Sequence, residues 1–494
     1  MSSRSIGTAS LIRHLGAWRA PGAGPAYRQL AGAVRLLILD GRLPLAARLP
    51  GEREAAQALG LSRTTVSAAY GRLRDDGFLT GGRGASARTS LPGEAPTGGS
   101  RGLPEARTSS RADEVLDLTA AVLPADPSVH AAYVRALERL PTRLPGHGYE
   151  ASGVEALREA VAAAYRRRGL PTSPAQILIT HGAHNGLVHL LRLMVRPGQP
   201  VVFDHPTYPQ ALDAILAAGA RPTPVALPDD AGAGAGTEGW DVEGLIAACR
   251  TSGAPLAYLV LDHHNPTGRM MRAADRLRLL AGLKGCETLL VLDETLVELT
   301  LSGPPALTAS AVDAPRVVRL GSLSKSVWGG LRIGWIRADR AVIQRLAQSR
   351  ASFDLGAPIL EQLAAVELLG DGGAGLAARR PLLRARRDHL RMRLAERLPQ
   401  WVCPRPAGGL SVWAQLPAPI SSALAVQAAE RGLRLASGPR FGVDGAFEHR
   451  LRLPYTLSEP VLDVAVERLA QAAEALERKT RPVSAPPPRR VAVY

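Results

Sequence analysis

Only three of the 60 Lys and Arg residues in this 494-residue chain are lysines, at positions 284, 325 and 479. In so arginine-biased a sequence, a lysine marks a position where a guanidinium cannot substitute. An amine can lose its proton and attack a carbonyl, whereas arginine stays protonated. Lys284 and Lys479 have polar neighbours and read as solvated. Lys325 lies instead among Ser322, Ser324, Ser326 and a run of glycines ending at Gly334, directly after the apolar stretch 317–320. Hydroxyls, a lysine and Arg332 on glycine-rich backbone suit a phosphorylated aldehyde held as a Schiff base on Lys325.

Four further polar clusters each follow a short apolar run. Gly182, Ala183 and His184 come after 177–180, at a strand-to-helix junction whose free N–H groups and helix dipole suit a phosphate. Ser322, Ser324 and Arg332 would supply the remaining phosphate donors. Tyr208, after 200–204, offers a flat face to a pyridine ring. Asn265, after 256–261, would donate to the ring oxygen. Asp293, at the end of 289–292, would keep the pyridine nitrogen protonated, so that the ring acts as an electron sink. Each signal has an ordinary alternative: Asn-Pro-Thr-Gly is a common turn, and an aspartate after a strand is a common helix cap. Their joint order with Lys325 is what carries weight.

The elements that must position these clusters alternate strand and helix, which predicts a mostly parallel α/β sheet beginning near residue 113. All five clusters sit at C-terminal strand ends, where open α/β sheets bind ligands. Residues 90–112 are rich in Pro, Gly and Ser and read as a flexible linker. Residues 1–26 read as an extension with Trp18 as a packing anchor, and 474–494 as a basic, Pro-rich tail without an assigned role. The three cysteines (Cys249, Cys286, Cys403) are far apart, which argues against a disulfide framework or zinc site and fits a reducing cytoplasm. No apolar run approaches the roughly 20 residues that span a bilayer, and the N-terminus lacks a signal-peptide core.

Half of the net charge of +16 falls in residues 1–90, which hold 13 Arg, no Lys and five acids. Such a basic segment points to a polyanion. Within 27–89, a helical pattern from Tyr27 ends at Gly41, and the stretch 49–60 reads as a short helix ended by Gly60. A third helix then opens at Ser62, its natural N-cap. Val66, Ala69, Tyr70 and Leu73 form its apolar stripe, leaving Arg63, Thr64, Thr65 and Ser67 on the open side. Residues 78–88 read as a β-hairpin with a glycine-rich basic tip. Together these make a winged helix-turn-helix whose third helix can enter a major groove.

This segment resembles the GntR-type DNA-binding domain, with Leu-Pro-Gly-Glu-Arg-Glu at 49–54 and Leu-Ser-Arg-Thr-Thr-Val at 61–66. The resemblance implies double-stranded DNA contacts by Arg53, Ser62, Arg63, Thr64, Thr65 and the wing at Gly84. The wing departs from the usual Gly-Ser-Gly-Thr, reading Gly-Ala-Ser-Ala at 84–87. Residues 113–473 resemble fold type I aminotransferases in Asn-Pro-Thr-Gly, then Asp-Glu, then Ser-x-x-Lys with a following Arg. That resemblance implies pyridoxal 5′-phosphate on Lys325, a small C-terminal α+β subdomain, and Arg452 gripping a substrate or effector carboxylate. The combined layout resembles the MocR/GabR regulators. It implies a homodimer paired head to tail, an operator with two half-sites, and an effector that is an amino compound or the cofactor itself. Relatives carry a tyrosine two or three residues after the aspartate. Here Thr295 and Leu296 occupy those positions; the Thr295 hydroxyl is expected to replace part of that contact to the ring oxygen, and turnover is expected to be slow. The alternative is a working aminotransferase with an accessory DNA-binding domain.

Overall fold

The computed structural model describes residues 5–16, 18–19, 24–39, 43, 47–81, 87–90, 115–228, 239–303, 314, 316–370 and 374–480. The linker from 91 to 112, the wing tip with Gly84 and the last 14 residues lie outside them.

Four helices open the chain: α1 (Thr8–Leu15), α2 (Ala26–Leu39), α3 (Glu52–Leu59) and α4 (Arg63–Asp75). A short antiparallel pair, β1 (Leu79–Thr80) and β2 (Arg88–Thr89), follows. Helix α4 starts where its hydroxyl cap dictates. Ser62 accepts a hydrogen bond from the Thr65 N–H at 3.1 Å, a cap contributing roughly 0.5–2 kcal/mol. Its buried stripe is Val66, Ala69, Tyr70 and Leu73, which pack with Leu30, Val34 and Ile38 of α2. The N-terminal segment packs onto the same core, with Trp18 among its contacts. Leu11 and Leu15 of α1 are buried in the same cluster, Trp18 packs against it, and Ser5 bridges to Arg48. The segment holds an amphipathic helix of just over two turns.

The second body carries a seven-stranded sheet: β4 (Ile177–Thr180), β5 (Pro200–His205), β6 (Arg221–Ala226), β7 (Leu256–Leu259), β8 (Leu289–Asp293), β9 (Val317–Ser322) and β10 (Gly334–Arg337). Their spatial order is β4-β10-β9-β8-β7-β5-β6. The pairs from β6 to β9 are parallel, and β10 runs antiparallel to both β9 and β4. Sheets covered on both faces read as continuous apolar runs; Val201, Val202 and Phe203 are fully buried. The covering helices include α5 (Ser128–Arg139), α6 (Glu155–Arg167), α7 (Ala183–Met194), α8 (Pro209–Ala217), α9 (Val242–Ser252), α10 (Ala273–Gly282), α11 (Arg340–Ser349) and α12 (Ile359–Gly370).

After the long helix α13 (Ala374–Arg397) come β11 (Ser411–Gln415), α14 (Ser421–Ala429), β12 (Leu433–Ser437), β13 (Arg450–Pro454) and α15 (Glu459–Thr480). These strands form a small sheet in the order β11-β13-β12-β3. Strand β3 (Leu116–Leu118) is the first element after the linker, and it pairs in parallel with β12. The small domain is therefore sealed by a strand from the opposite end of the sequence. Helix α15 runs to Thr480, so the first residues of the expected tail are helical.

Candidate cofactor site and nucleic-acid interface

The five polar clusters converge at one end of the large sheet. Gly182 caps α7 with φ 98°, a left-handed backbone that disfavours any side chain. A Cβ on Gly334 would lie 2.5 Å from the Gly182 carbonyl carbon, so the start of β10 can approach the β4–α7 turn only as glycine. Arg332 reaches over this turn and donates to the His181 carbonyl. The first N–H groups of α7, at Ala183 and His184, have no intrahelical acceptor. The Tyr208 ring, at the N-cap of α8, stands edge-on to His184 at 6.2 Å. Burial, with the nearby Asp293 charge, raises the Tyr208 phenol to about 12.

Asp293 ends β8 and is held from two sides. Its Oδ2 accepts from the Tyr258 hydroxyl at 2.6 Å, and its Oδ1 accepts from the Thr295 N–H at 2.9 Å and the Thr295 hydroxyl at 2.7 Å. Thr295 is thus held against Asp293. Its hydroxyl bonds Asp293, because two residues past a strand-end aspartate is where an Asx-type turn brings a hydroxyl back. Tyr258 escaped the sequence reading because it lies inside an apolar strand run, and only the β7–β8 pairing sets it beside Asp293. Burial and the Asp293 charge raise its phenol far above the usual range, keeping it a neutral donor.

Next along the chain, Glu294 lies 6% exposed between Arg319 of β9, to which it is ion-paired, and Arg168, whose Nη1 is 3.1 Å away. Burial alone would raise its carboxyl; the two arginines overcome that and hold it at about 2.

Lys325 follows β9. Its Nζ donates to the Ala121 carbonyl at 2.9 Å. Burial first, then the positive charge of Arg452, lowers its amine to about 8. The Ser322 hydroxyl lies 2.9 Å from that of Ser324 and 3.1 Å from the Ile333 carbonyl, tying the serines to the turn before β10. Arg452, in the middle of β13, is only 6% exposed. Its guanidinium sits 4.9 Å from the centre of the Phe441 ring, and Nη1 donates to the Asn265 side-chain oxygen at 3.4 Å. Nη2 donates to the Thr119 carbonyl. Burial lowers this guanidinium to about 10.

Two buried polar atoms at this site, Nε of Arg452 and Nδ1 of His184, have no hydrogen-bond partner among the described residues. Unpaired buried donors are costly. With the helix N-terminus, the low-pKa lysine and the strand-end carboxylate, they fit a phosphorylated pyridine aldehyde.

In the N-terminal body, Arg63 and Thr64 are exposed on α4 and Thr65 is half-buried. The Ser62 hydroxyl lies 2.7 Å from that of Thr64 and 2.8 Å from that of Thr65. Arg53 is exposed on α3, while its neighbour Glu52 pairs with Arg74 at 3.5 Å. A shallow groove lined by Tyr27, Thr64, Ser67, Gly71 and Arg72 runs along the outer face of α4. Arg53, Ser62, Arg63 and Thr64 are thus open to solvent; Gly84 lies outside the described residues.

Residues 131–469 match the family described as aminotransferase class I and II, and residues 26–88 match the gntR family of bacterial regulatory proteins. The chain belongs to the class I and II aminotransferases, and it carries a gntR-type domain ahead of that region. It is 29% identical to the uncharacterized HTH-type transcriptional regulator YisV of Bacillus subtilis, over 79% of this chain and 84% of YisV. It is 28% identical to the HTH-type transcriptional regulator TauR of Rhodobacter capsulatus, over 91% of this chain and 97% of TauR. The α-aminoadipate aminotransferase LysN of Thermus thermophilus, solved with N-(5′-phosphopyridoxyl)-L-leucine, matches with a TM-score of 0.65 and 27% identity. That match covers 74% of this chain and 94% of LysN. The family's cofactor is pyridoxal 5′-phosphate, and its gntR-type domain is a DNA-binding domain. No helix among the described residues is long and apolar enough to cross a membrane.

Proposed function

We propose that this protein is a cytoplasmic, homodimeric transcription regulator whose aminotransferase-like domain senses an amino compound through pyridoxal phosphate on Lys325. The observation that carries the reading is the low-pKa Lys325 amine beside a buried arginine with a spare donor, in a chain that also presents the open face of α4.

When bound, pyridoxal phosphate supplies an aldehyde for amines and an electron-withdrawing ring. Lys325 would hold it through its amine, which burial and Arg452 keep partly unprotonated near neutral pH. Gly182, Ala183 and His184, with Ser322, Ser324 and Arg332, hold the phosphate. Tyr208 would cover one ring face, and Asn265, whose side-chain oxygen accepts from Arg452, would donate its amide N–H to the ring oxygen. Asp293, held by Tyr258 and Thr295, pairs with the ring nitrogen. Arg452 takes the carboxylate of the effector. On DNA, Arg63 and Thr65 read base edges, while Arg53, Ser62, Thr64 and the wing at Gly84 bind the backbone.

The homodimer is supported by exposed Leu144, Tyr149, Phe353 and Leu355, where the turn at 350–356 packs on 150–151. Head-to-tail pairing would present two copies of α4 to two half-sites. A working aminotransferase is the second reading, favoured by the complete set of Lys325, Asp293 and Arg452. Sensing is preferred because Thr295 is spent on Asp293 rather than on the cofactor. The test is two-part: a visible absorbance band removed by borohydride, and retardation of the protein's own upstream DNA. Steady-state transamination at roughly 1–1000 per second would overturn sensing in favour of catalysis.

A further inference from the structure

Two backbone carbonyls already occupy the donors that the sensor reading assigns to ligands. Lys325 Nζ donates to Ala121, and Arg452 Nη2 donates to Thr119. Both carbonyls belong to one strap, residues 119–122, anchored at its two ends. On one side β3 pairs with β12, the Leu116 N–H donates to Gly432 at 2.8 Å, and Asp117 binds both the N–H and the hydroxyl of Thr119. On the other, Arg379 grips the Asp126 carboxylate at 3.0 Å and the Pro124 carbonyl at 2.8 Å. Between the anchors, the two cationic side chains of the pocket hold the strap. The strap leads straight back through β3 into the chain that joins the DNA-binding domain.

We propose that the strap is an internal surrogate for the effector. An amino compound bearing a carboxylate displaces it, and its release is how occupancy of the pocket reaches the DNA-binding domain. This rests on the sensor reading above. A carboxylate that takes both Nη2 and the unpartnered Nε of Arg452 as a two-bond fork must replace the single Thr119 carbonyl. Joining Lys325 to the cofactor removes the other tether, from Ala121. The strap thus has two states, and a ligand biases them only through its unequal affinity for each. Cofactor joined to Lys325 releases the Ala121 tether; a carboxylate-bearing amine that replaces Lys325 on the aldehyde carbon frees that lysine again and releases the Thr119 tether through Arg452. The predicted effector class is therefore an amino acid, not a plain amine.

The experiment is backbone hydrogen exchange over 115–123 in the full-length protein. Three probes are compared: pyridoxal phosphate, N-(5′-phosphopyridoxyl)alanine, and the carboxylate-free N-(5′-phosphopyridoxyl)ethylamine. Binding of each is followed separately by tryptophan fluorescence. The alanine adduct should speed exchange at Leu116 and Thr119 several-fold more than the ethylamine adduct does. Arg452→Gln should raise exchange there without any ligand. If the alanine adduct binds and 115–123 stays as protected as with the ethylamine adduct, the strap inference is overturned while the cofactor pocket stands. If no probe binds, the sensor reading itself fails, and the inference with it. The DNA arm uses reciprocity. Whatever factor the alanine adduct imposes on affinity for the upstream DNA, that DNA must impose on affinity for the adduct. A strap that opens with no change in either affinity overturns the coupling.

Discussion

The open face of α4 and the pocket around Lys325 are built on opposite plans. The DNA-facing residues Ser62 to Thr65 are neighbours in sequence, exposed, and fixed by one helix and one capping serine. The pocket gathers side chains from Gly182 to Arg452, mostly buried and each held by another. A contact of the first kind is worth what its own bond is worth. A residue of the second kind also supports its neighbours, so its loss should spread.

The largest expected effect breaks the pocket outright. Lys325→Ala should abolish the visible band while circular dichroism stays native; a band that persists would place the cofactor elsewhere. The buried ion network next in line should act on stability. Glu294→Ala strands Arg319 and Arg168 without their shared carboxylate, and breaking buried pairs costs about 3–5 kcal/mol. Chemical denaturation should show a loss of that order, and a change under 1 kcal/mol would mean the arginines find other partners. The same network sets a pH limit. The Glu294 carboxyl is depressed in the fold to about 2, so its contribution is complete at neutral pH and fades as pH falls from the ordinary carboxylate range towards 2.

On α4 the effects should be smaller and separable. Arg63→Ala should weaken binding of upstream DNA by about 1–3 kcal/mol, the value of one base contact, with the cofactor spectrum untouched. Arg72→Ala should instead lower the salt dependence by about one phosphate's worth. Normal operator binding by Arg63→Ala would show that α4 is not the reader.

A gentler probe of the pocket is its titration. The Lys325 amine is lowered to about 8 by burial and by Arg452, so below that pH its neutral fraction falls about ten-fold per unit. The rate of cofactor attachment should follow this slope and level off above about pH 8. Stability of the cofactor-free protein has the matching sign. The unfolded lysine binds more protons between about 8 and its ordinary value of 10.5, so stability rises with pH across that window.

The same contrast explains what was legible before the fold was known. Strands with apolar runs, such as 177–180, and the cap at Ser62 are local statements, and the structure places them within a residue or two of expectation. The polar clusters were legible because strand-end chemistry repeats along the chain. Tyr258, Thr119 and Ala121 were not. A tyrosine within an apolar run gives no sign of its partner, and a backbone carbonyl has no side-chain signature at all. The Thr295–Asp293 bond was illegible for the same reason, since it is fixed by a turn and not by a motif. Helix α1 was hidden by small residues whose apolar face shows only when α2 and α3 are set against it.

The smallest effect tests the contrast most directly, because it concerns additivity. Tyr258 and Thr295 never need to touch; they meet through the two oxygens of Asp293. With Tyr258→Phe, the Thr295 bonds still orient the carboxylate; with Thr295→Val, the Tyr258 bond still does. Either change alone should move the pH midpoint of the bound cofactor's visible band only slightly. Removing both frees the carboxylate to rotate, so the double variant should shift the midpoint by more than the two single shifts combined. Residues sharing a partner typically show interaction energies of about 0.5–3 kcal/mol, whereas distant independent sites add within about 0.5 kcal/mol. Arg63→Ala combined with Arg72→Ala on α4 provides the additive reference, read as DNA affinity. If the Tyr258 and Thr295 changes add as simply as the two arginine changes do, Asp293 is held by the strand alone, and the pocket is no more cooperative than the helix.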